Sequence, residues 1–471
     1  MVFSSLSFLY LFFPLCGLAY FLCRNRAWRN GVLLAFSLVF YAWGEPKNII
    51  LLLLASLTAY LCGLGLERWK PRPGLRRAVF LVGVVLLAGN LFVFKYLNFF
   101  CGNLGRAGLP VSVPEIALPI GISFYTFQIL SYVIDLYRGE IQVQRNFFYL
   151  TLYVSFFPQL IAGPIVRYQT IEAEILERRE SLEDISAGLR RFVLGLAKKV
   201  IIADNVGHIA EIIYKGEAEV YGSALYWLAA VAYALQIYFD FSGYSDMAIG
   251  MGRMFGFHFL ENFNYPYMAL SITDFWRRWH ISLSTWFRDY IYIPLGGNRV
   301  KKSRWVLNLL AVWALTGFWH GAQWNFLLWG LYYGIILLVE KLWLGRLLDK
   351  CPKPARWLYA MVLVLVGWVI FNLTDFGQMS GALGMMFRFA PTDWAKVLAA
   401  DASIVKGLLY LPLGLVFSAP LLPKLRERLP KDGRAGTLVL AGENLVCLGL
   451  AVLSVIYVIG ATYDFFIYFR F

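Results

Sequence analysis

Residues 305–343 read WVLNLLAVWALTGFWHGAQWNFLLWGLYYGIILLVEKLW, an apolar run that carries the pair His320-Gly321 near its middle. Basic segments flank it, residues 277–304 on one side and 346–356 on the other. A run this apolar between two basic loops leaves an aqueous face and returns to the same face, because lysine and arginine mark the cytoplasmic side of a membrane. The stretch is therefore expected to be a hairpin of two half-to-full spans with His320 at its bend, inside the membrane. Irregular backbone at that depth survives only where protein buries it or where it lines a water-filled cavity. A cavity around His320 is expected.

Working outward, the rest of the chain has the same character. Hydrophobic residues make up 59% and charged residues only 15%, against roughly a quarter charged in soluble domains. Residues 49–66, 78–94, 357–371 and 438–459 are apolar runs of the length that crosses a ~30 Å hydrocarbon layer. Residues 8–23 have neither a basic region before them nor a small-residue cleavage site after them, so they are expected to be the first membrane helix and not a signal peptide. The expected fold is all-α and polytopic, one membrane domain over residues 1–471, interacting with membrane lipids.

The net charge of +14 would suit nucleic acid if it formed one patch. It is instead spread over short inter-helix loops, residues 24–29, 68–77, 277–304, 346–356 and 424–434, as topology signals are. No nucleic-acid partner is expected. Following parity from those loops puts the N-terminus outside and the tail, residues 463–471, on the extracytoplasmic face. The six cysteines are scattered without paired spacing, so neither a disulfide framework nor a metal site is expected.

Four histidines are present, at 208, 258, 280 and 320. His320, in Thr316-Gly317-Phe318-Trp319-His320-Gly321-Ala322, is an ionisable group at membrane depth, which is costly and therefore a functional candidate. Imidazole is the best general base at neutral pH; the bland alternative is a neutral ring tying two helices together. Residues 273–290 place Trp276, Trp279, Leu283, Trp286 and Tyr290 at helical spacing with Arg277, Arg278 and Arg288 between them, as in a helix lying at the interface. On such a helix His280 would share a face with Arg277 and Ser284. His208 and His258 lie near loops and receive no role. Residues 172–183 read as a charged interfacial or cytoplasmic helix.

Asp240, Ser242 and Asp246 fall in an otherwise apolar helix, and Asn325 in the returning arm of the hairpin. These read as structural polar positions, with glycines 243, 250, 252 and 256 permitting close helix approach. Arg277, Arg278, Arg288 and Trp286 are candidates for holding the phosphates and base of a coenzyme A donor, although topology signalling also accounts for the arginines. Residues 293–298, Ile-Pro-Leu-Gly-Gly-Asn, read as a turn with too few spaced glycines for a nucleotide loop.

The series Phe157-Pro158-Gln159-Leu160-Ile161-Ala162-Gly163-Pro164, Asp240-Phe241-Ser242-Gly243-Tyr244-Ser245-Asp246, Asp274-Phe275-Trp276-Arg277-Arg278-Trp279-His280 and Phe318-Trp319-His320-Gly321 resembles the membrane-bound O-acyltransferase (MBOAT) family. Along most of its length the chain is similar to the branch that O-acetylates alginate and peptidoglycan. The resemblance implies a ring of about 11 to 13 transmembrane helices with interfacial and re-entrant helices around a central funnel. It implies that His320 is the family's intramembrane histidine and His280 a second site position. The tail Phe465-Phe466-Ile467-Tyr468-Phe469-Arg470-Phe471 resembles a terminal tyrosine motif proposed in a related system to carry the acyl group; an aromatic interfacial anchor is the plainer reading.

The expected activity is an acetyl transfer in the bacterial cytoplasmic (inner) membrane. No permanently bound cofactor is expected. Acetyl-CoA would be the cytosolic donor, His320 the base, and Tyr468 the first acceptor. A periplasmic SGNH or serine esterase-like transferase would pass the group to an extracytoplasmic polysaccharide. Two other classes fit the same broken helices: a transporter of acyl groups or glycan, and a scaffold subunit of a polysaccharide modification complex.

Overall fold

Hydrocarbon offers no water to an unpaired N–H or C=O, so a chain this apolar closes its backbone bonds internally, as helix. The computed structural model describes residues 1–216, 218–395, 397, 403–430, 432–460 and 466. Among these the regular elements are all helical. Six helices are long and apolar enough to cross a membrane: Ile49–Arg68, Pro73–Arg106, Val220–Met254, Trp324–Leu348, Lys353–Asn372 and Gly433–Gly460. A seventh span results if Lys406–Phe417 and Leu421–Arg428, bent by 53°, act together. The larger number implied by the resemblance differs because helices such as Phe8–Leu22, Arg26–Gly44 and Ile122–Arg138 are too short or too polar to qualify alone.

The Gly433–Gly460 helix buries little of itself, and Leu438, Leu445, Leu448 and Ile459 stand exposed along it. Against water such a surface would invite aggregation; against acyl chains it costs nothing. The protein is thus a multi-pass membrane protein.

The chain groups into two compact units, Met1–Phe192 with Met247–Leu260, and Val193–Asp246 with Glu261–Phe471. In the first unit, Phe8 and Phe12 of the opening helix pack with Phe40 and Phe157. The charged helix expected over residues 172–183 is corrected to two helices, Tyr168–Glu177 and Leu182–Ala197. Arg178 leaves the first in extended conformation so that its buried guanidinium donates to Tyr20 Oη at 3.1 Å and to the Phe255 carbonyl at 2.9 Å. It also lies 4.3 Å over the Phe257 ring. Ser181 Oγ then accepts from the Asp184 N–H at 3.0 Å, satisfying an orphan donor of the new helix. Glu180, between them, binds Arg26 and Arg29 at 2.5 and 2.7 Å.

In the second unit the carboxylates of the Val220–Met254 helix are paired. Asp240, 2% exposed in its side chain, lies 2.8 Å from Lys199 Nζ, which also meets Asp204 at 2.6 Å; Asp246 binds Lys198 at 2.6 Å. Ser242 is buried beside them. Gly243 packs on the main chain at Gly195, where a Cβ would come within 2.7 Å of the carbonyl oxygen. Buried Glu340 accepts from the N–H groups of Ile272 and Thr273 at 2.7 and 2.8 Å and from Thr273 Oγ1 at 2.6 Å. A carboxylate there complements the positive end of the Ile272–Arg278 helix and sets the direction in which the chain runs toward His280.

Candidate active site

The hairpin forms as its apolar pattern requires: Lys302–His320 and Trp324–Val339 are helices, and His320-Gly321 stands at the bend between them. The arms approach closely because Gly317 faces the Phe326 carbonyl and Gly330 faces the Trp313 carbonyl, leaving no room for a Cβ at either. His320 is 5% exposed. Its ring meets Trp319, Trp329 and Phe371 at centroid distances of 5.0, 5.1 and 5.3 Å, with interplanar angles of 80°, 83° and 82°. These are edge-to-face contacts, the geometry ring quadrupoles prefer, and they fix the plane of the imidazole. Phe371 is itself held by Asn325, whose Nδ2 donates to the Phe371 carbonyl at 3.1 Å.

The continuous helix expected through His280 is corrected. Ile272–Arg278 and Ile281–Phe287 are separate helices, and His280 lies in the break with φ 45° and ψ 55°. It therefore shares no helical face with Arg277 and Ser284. The residues 262–264 cause the break, since the Ile281 N–H donates to the Asn262 carbonyl at 3.0 Å and the Asn264 N–H to the Arg278 carbonyl at 2.9 Å. Those bonds offset a left-handed conformation that costs a non-glycine residue of order 1 kcal/mol. His280 is 1% exposed, and burial pushes its pKa down to about 3, so the ring is neutral.

Packing brings the two histidines together on one indole. Trp319 lies 5.0 Å from His320 and 6.1 Å from His280 between ring centroids. The other side of the cluster reaches the chain's tail: His280 meets Phe241 edge-on at 4.7 Å, and Phe466 packs on Phe241 at 6.0 Å and Tyr244 at 4.8 Å. Phe466 is buried. Tyr468, like all of residues 463–471 except Phe466, lies outside the described residues.

The candidate donor-binding residues divide. Arg277 and Arg288 are exposed, while Arg278 is half-buried and Trp286 buried. Arg278 is paired with Asp274 at 2.8 Å and Arg288 with Asp289 at 2.6 Å, so two of the three cations already have a carboxylate. Among the described residues no cluster of histidine, cysteine and carboxylate could hold a metal. Asn262, Phe241, Trp319 and Phe371 complete the two histidine environments, and sequence reasoning assigned them nothing. Asn262 lies 18 positions before His280 and outside any helix, so only the fold could pair them.

Comparison with known proteins reaches the same segment. The family model described as MBOAT, membrane-bound O-acyltransferase family, matches residues 41–376, which include both histidines. A probable alginate O-acetylase of Azotobacter vinelandii is 44% identical over 402 residues, covering 84% of this chain and 79% of that protein. A peptidoglycan O-acetyltransferase of Helicobacter pylori is 36% identical over 407 residues, 79% and 77% of the two chains. A teichoic acid D-alanyltransferase of Bacillus subtilis is 30% identical over 330 residues, 62% of this chain and 81% of that one.

Proposed function

The chain belongs to the membrane-bound O-acyltransferase family, and we propose that within it this enzyme moves acetyl groups from a cytosolic thioester toward an extracytoplasmic polysaccharide. The substrate class follows from the relatives, an alginate O-acetylase and a peptidoglycan O-acetyltransferase. One observation carries the chemistry: His320 and His280 both pack on Trp319 at the bend of an intramembrane hairpin. A transporter or scaffold would have no need of two imidazoles gathered there.

In this reading acetyl-CoA is the donor, approaching by way of Arg277, Arg278, Arg288 and Trp286. His280 first orients an acceptor hydroxyl by accepting its hydrogen bond; the O–H then turns to His320, which takes the proton as the oxygen attacks the thioester carbonyl. The thiolate leaves and recovers the proton from the His320 imidazolium; a thiol pKa of roughly 8.5 makes it a good leaving group. The first acceptor is Tyr468, whose phenol, with pKa about 10, deprotonates far more readily than a sugar alcohol. The buried position of Phe466 on Phe241, the ring that also meets His280, supports this role. The aryl ester keeps a good leaving group, so a periplasmic SGNH-type partner can take the acetyl group onward. The cytoplasmic membrane, with the tail outside, is the corresponding location.

The test is thiol release and acetyl-protein formation by the purified enzyme in lipid nanodiscs given acetyl-CoA. Wild type releases thiol and carries acetyl on Tyr468; His320→Ala does neither, and Tyr468→Phe carries no acetyl. Normal thiol release by His320→Ala removes the base, and polymer acetylation undiminished in Tyr468→Phe removes the relay.

A further inference from the structure

The side chain of Asn262 is buried, 1% exposed, and its amide is bonded on both sides. The backbone N–H of Ser282 points at Oδ1 from 3.1 Å, and Ser282 Oγ lies 2.9 Å from the same atom. A backbone N–H can only donate, so the atom it faces is the amide oxygen, a choice otherwise open in a side-chain amide. On the far side, Nδ2 donates to Ser245 Oγ at 3.3 Å. Turning the amide over would set its NH₂ against the Ser282 N–H, so the orientation is locked.

His280 Nδ1 lies 3.2 Å from that same oxygen. A ring nitrogen facing a carbonyl oxygen must bring the proton. In the neutral imidazole the lone pair is then on Nε2. The neighbours among the described residues agree with this assignment. Phe241 and Trp319 present aromatic rings to His280, and Ser282 Oγ, at 3.5 Å from Nδ1, is a second acceptor. The carboxylates on the helix that carries Phe241, Asp240 and Asp246, are engaged by Lys199 and Lys198.

We infer that Asn262 is a positioning residue that holds His280 in the Nδ1–H tautomer, making Nε2 the atom that accepts the hydrogen bond of the acyl acceptor's hydroxyl as it docks, before that single proton turns to His320. The inference rests on the proposed role of His280 in the transfer. An amide suits the task where a carboxylate would not: a negative partner at Nδ1 would favour the imidazolium, which has no lone pair with which to accept.

The experiment uses the full-length protein in nanodiscs with ¹⁵N-labelled histidine. With four histidines in the chain, the His280 signals are identified by their loss in His280→Gln. Wild type is expected to show a protonated Nδ1 and a bare Nε2 from pH 5 to 8. Asn262→Asp keeps the shape and the three contacts of Oδ1, giving up only the donor to Ser245; its His280 is expected to carry two protons at neutral pH. Thiol release from acetyl-CoA by this variant then falls about tenfold per pH unit below the new pKa and recovers above it, an acid limb displaced upward from the one that the His320 base gives wild type. A wild-type ring protonated on Nε2 overturns the inference, whether or not the variant folds. So does an Asn262→Asp profile and spectrum that superimpose on wild type. Full activity in His280→Gln overturns the role given to Nε2 together with the part of His280 in the proposed function, whereas loss of activity in His320→Ala tests that function independently of Asn262.

Discussion

Removing Lys199 should damage the fold more than removing Asp240, although the two share one ion pair. Lys199 Nζ stands 2.8 Å from Asp240 and 2.6 Å from Asp204; at an effective dielectric of about 20, each such contact is worth about 6 kcal/mol of Coulomb energy before desolvation. In Asp240→Asn the ammonium keeps Asp204 and the new amide can still accept, so the net loss is that of one charged hydrogen bond, about 1.5–3 kcal/mol. In Lys199→Met two carboxylates face each other with their common cation gone, and Asp240, 2% exposed, has no water to turn to. Breaking a buried pair this way costs about 3–5 kcal/mol. Lys199→Met with Asp240→Leu exchanges the pair for apolar contacts and should recover about half of that or more. The assay is denaturant titration of the four proteins in mixed micelles, followed by intrinsic tryptophan fluorescence. Equal losses for the two single variants, or a double variant whose loss is their sum, would refute the reasoning.

Gly317→Val places a branched side chain against the Phe326 carbonyl and should force the hairpin arms apart, at a cost above about 3 kcal/mol; monodisperse protein recovered by size exclusion should fall sharply, with Gly31→Ala, in open space, as the tolerated control. Phe371→Ala removes one of the three rings that fix the His320 plane, so thiol release from acetyl-CoA should drop about tenfold, of the order expected when a catalytic group is displaced by a fraction of an ångström, while the protein remains folded by circular dichroism. Burial alone would raise the Glu180 carboxyl, but hydrogen bonds and charges from Arg26, Tyr20 and Arg29 hold it below its ordinary value. A depressed carboxylate contributes stability above its unfolded pKa and loses it as pH falls through the folded one; Glu180→Gln should therefore be less stable than wild type at pH 7, with the gap closing below the ordinary carboxylate range, as read by unfolding at both pH values.

Much of this molecule is legible along the chain because the bilayer makes a local demand. Each spanning segment must satisfy its own backbone, so long apolar runs become helices wherever they occur, and the hairpin with His320 at its bend follows from two basic loops and the length between them. The same logic fails where a helix ends for a distant reason. Nothing in residues 273–290 signals a stop at His280, since the tryptophan stripe continues through it; the break depends on the Asn262 carbonyl accepting from Ile281 and the Asn264 N–H donating to Arg278. Arg178 similarly leaves a charged helix because Tyr20 and the Phe255 carbonyl wait for its guanidinium.

By itself the sequence determined the membrane class, the helical hairpin and the candidacy of both histidines, all of which depend on composition, spacing within a few turns, or motif. Tertiary structure alone decided that the two imidazoles share Trp319, that Phe466 reaches Phe241, and that His280 Nδ1 faces Asn262. Those relations join residues far apart in the chain through single side chains, and no periodicity records which distant partner a buried polar group will find.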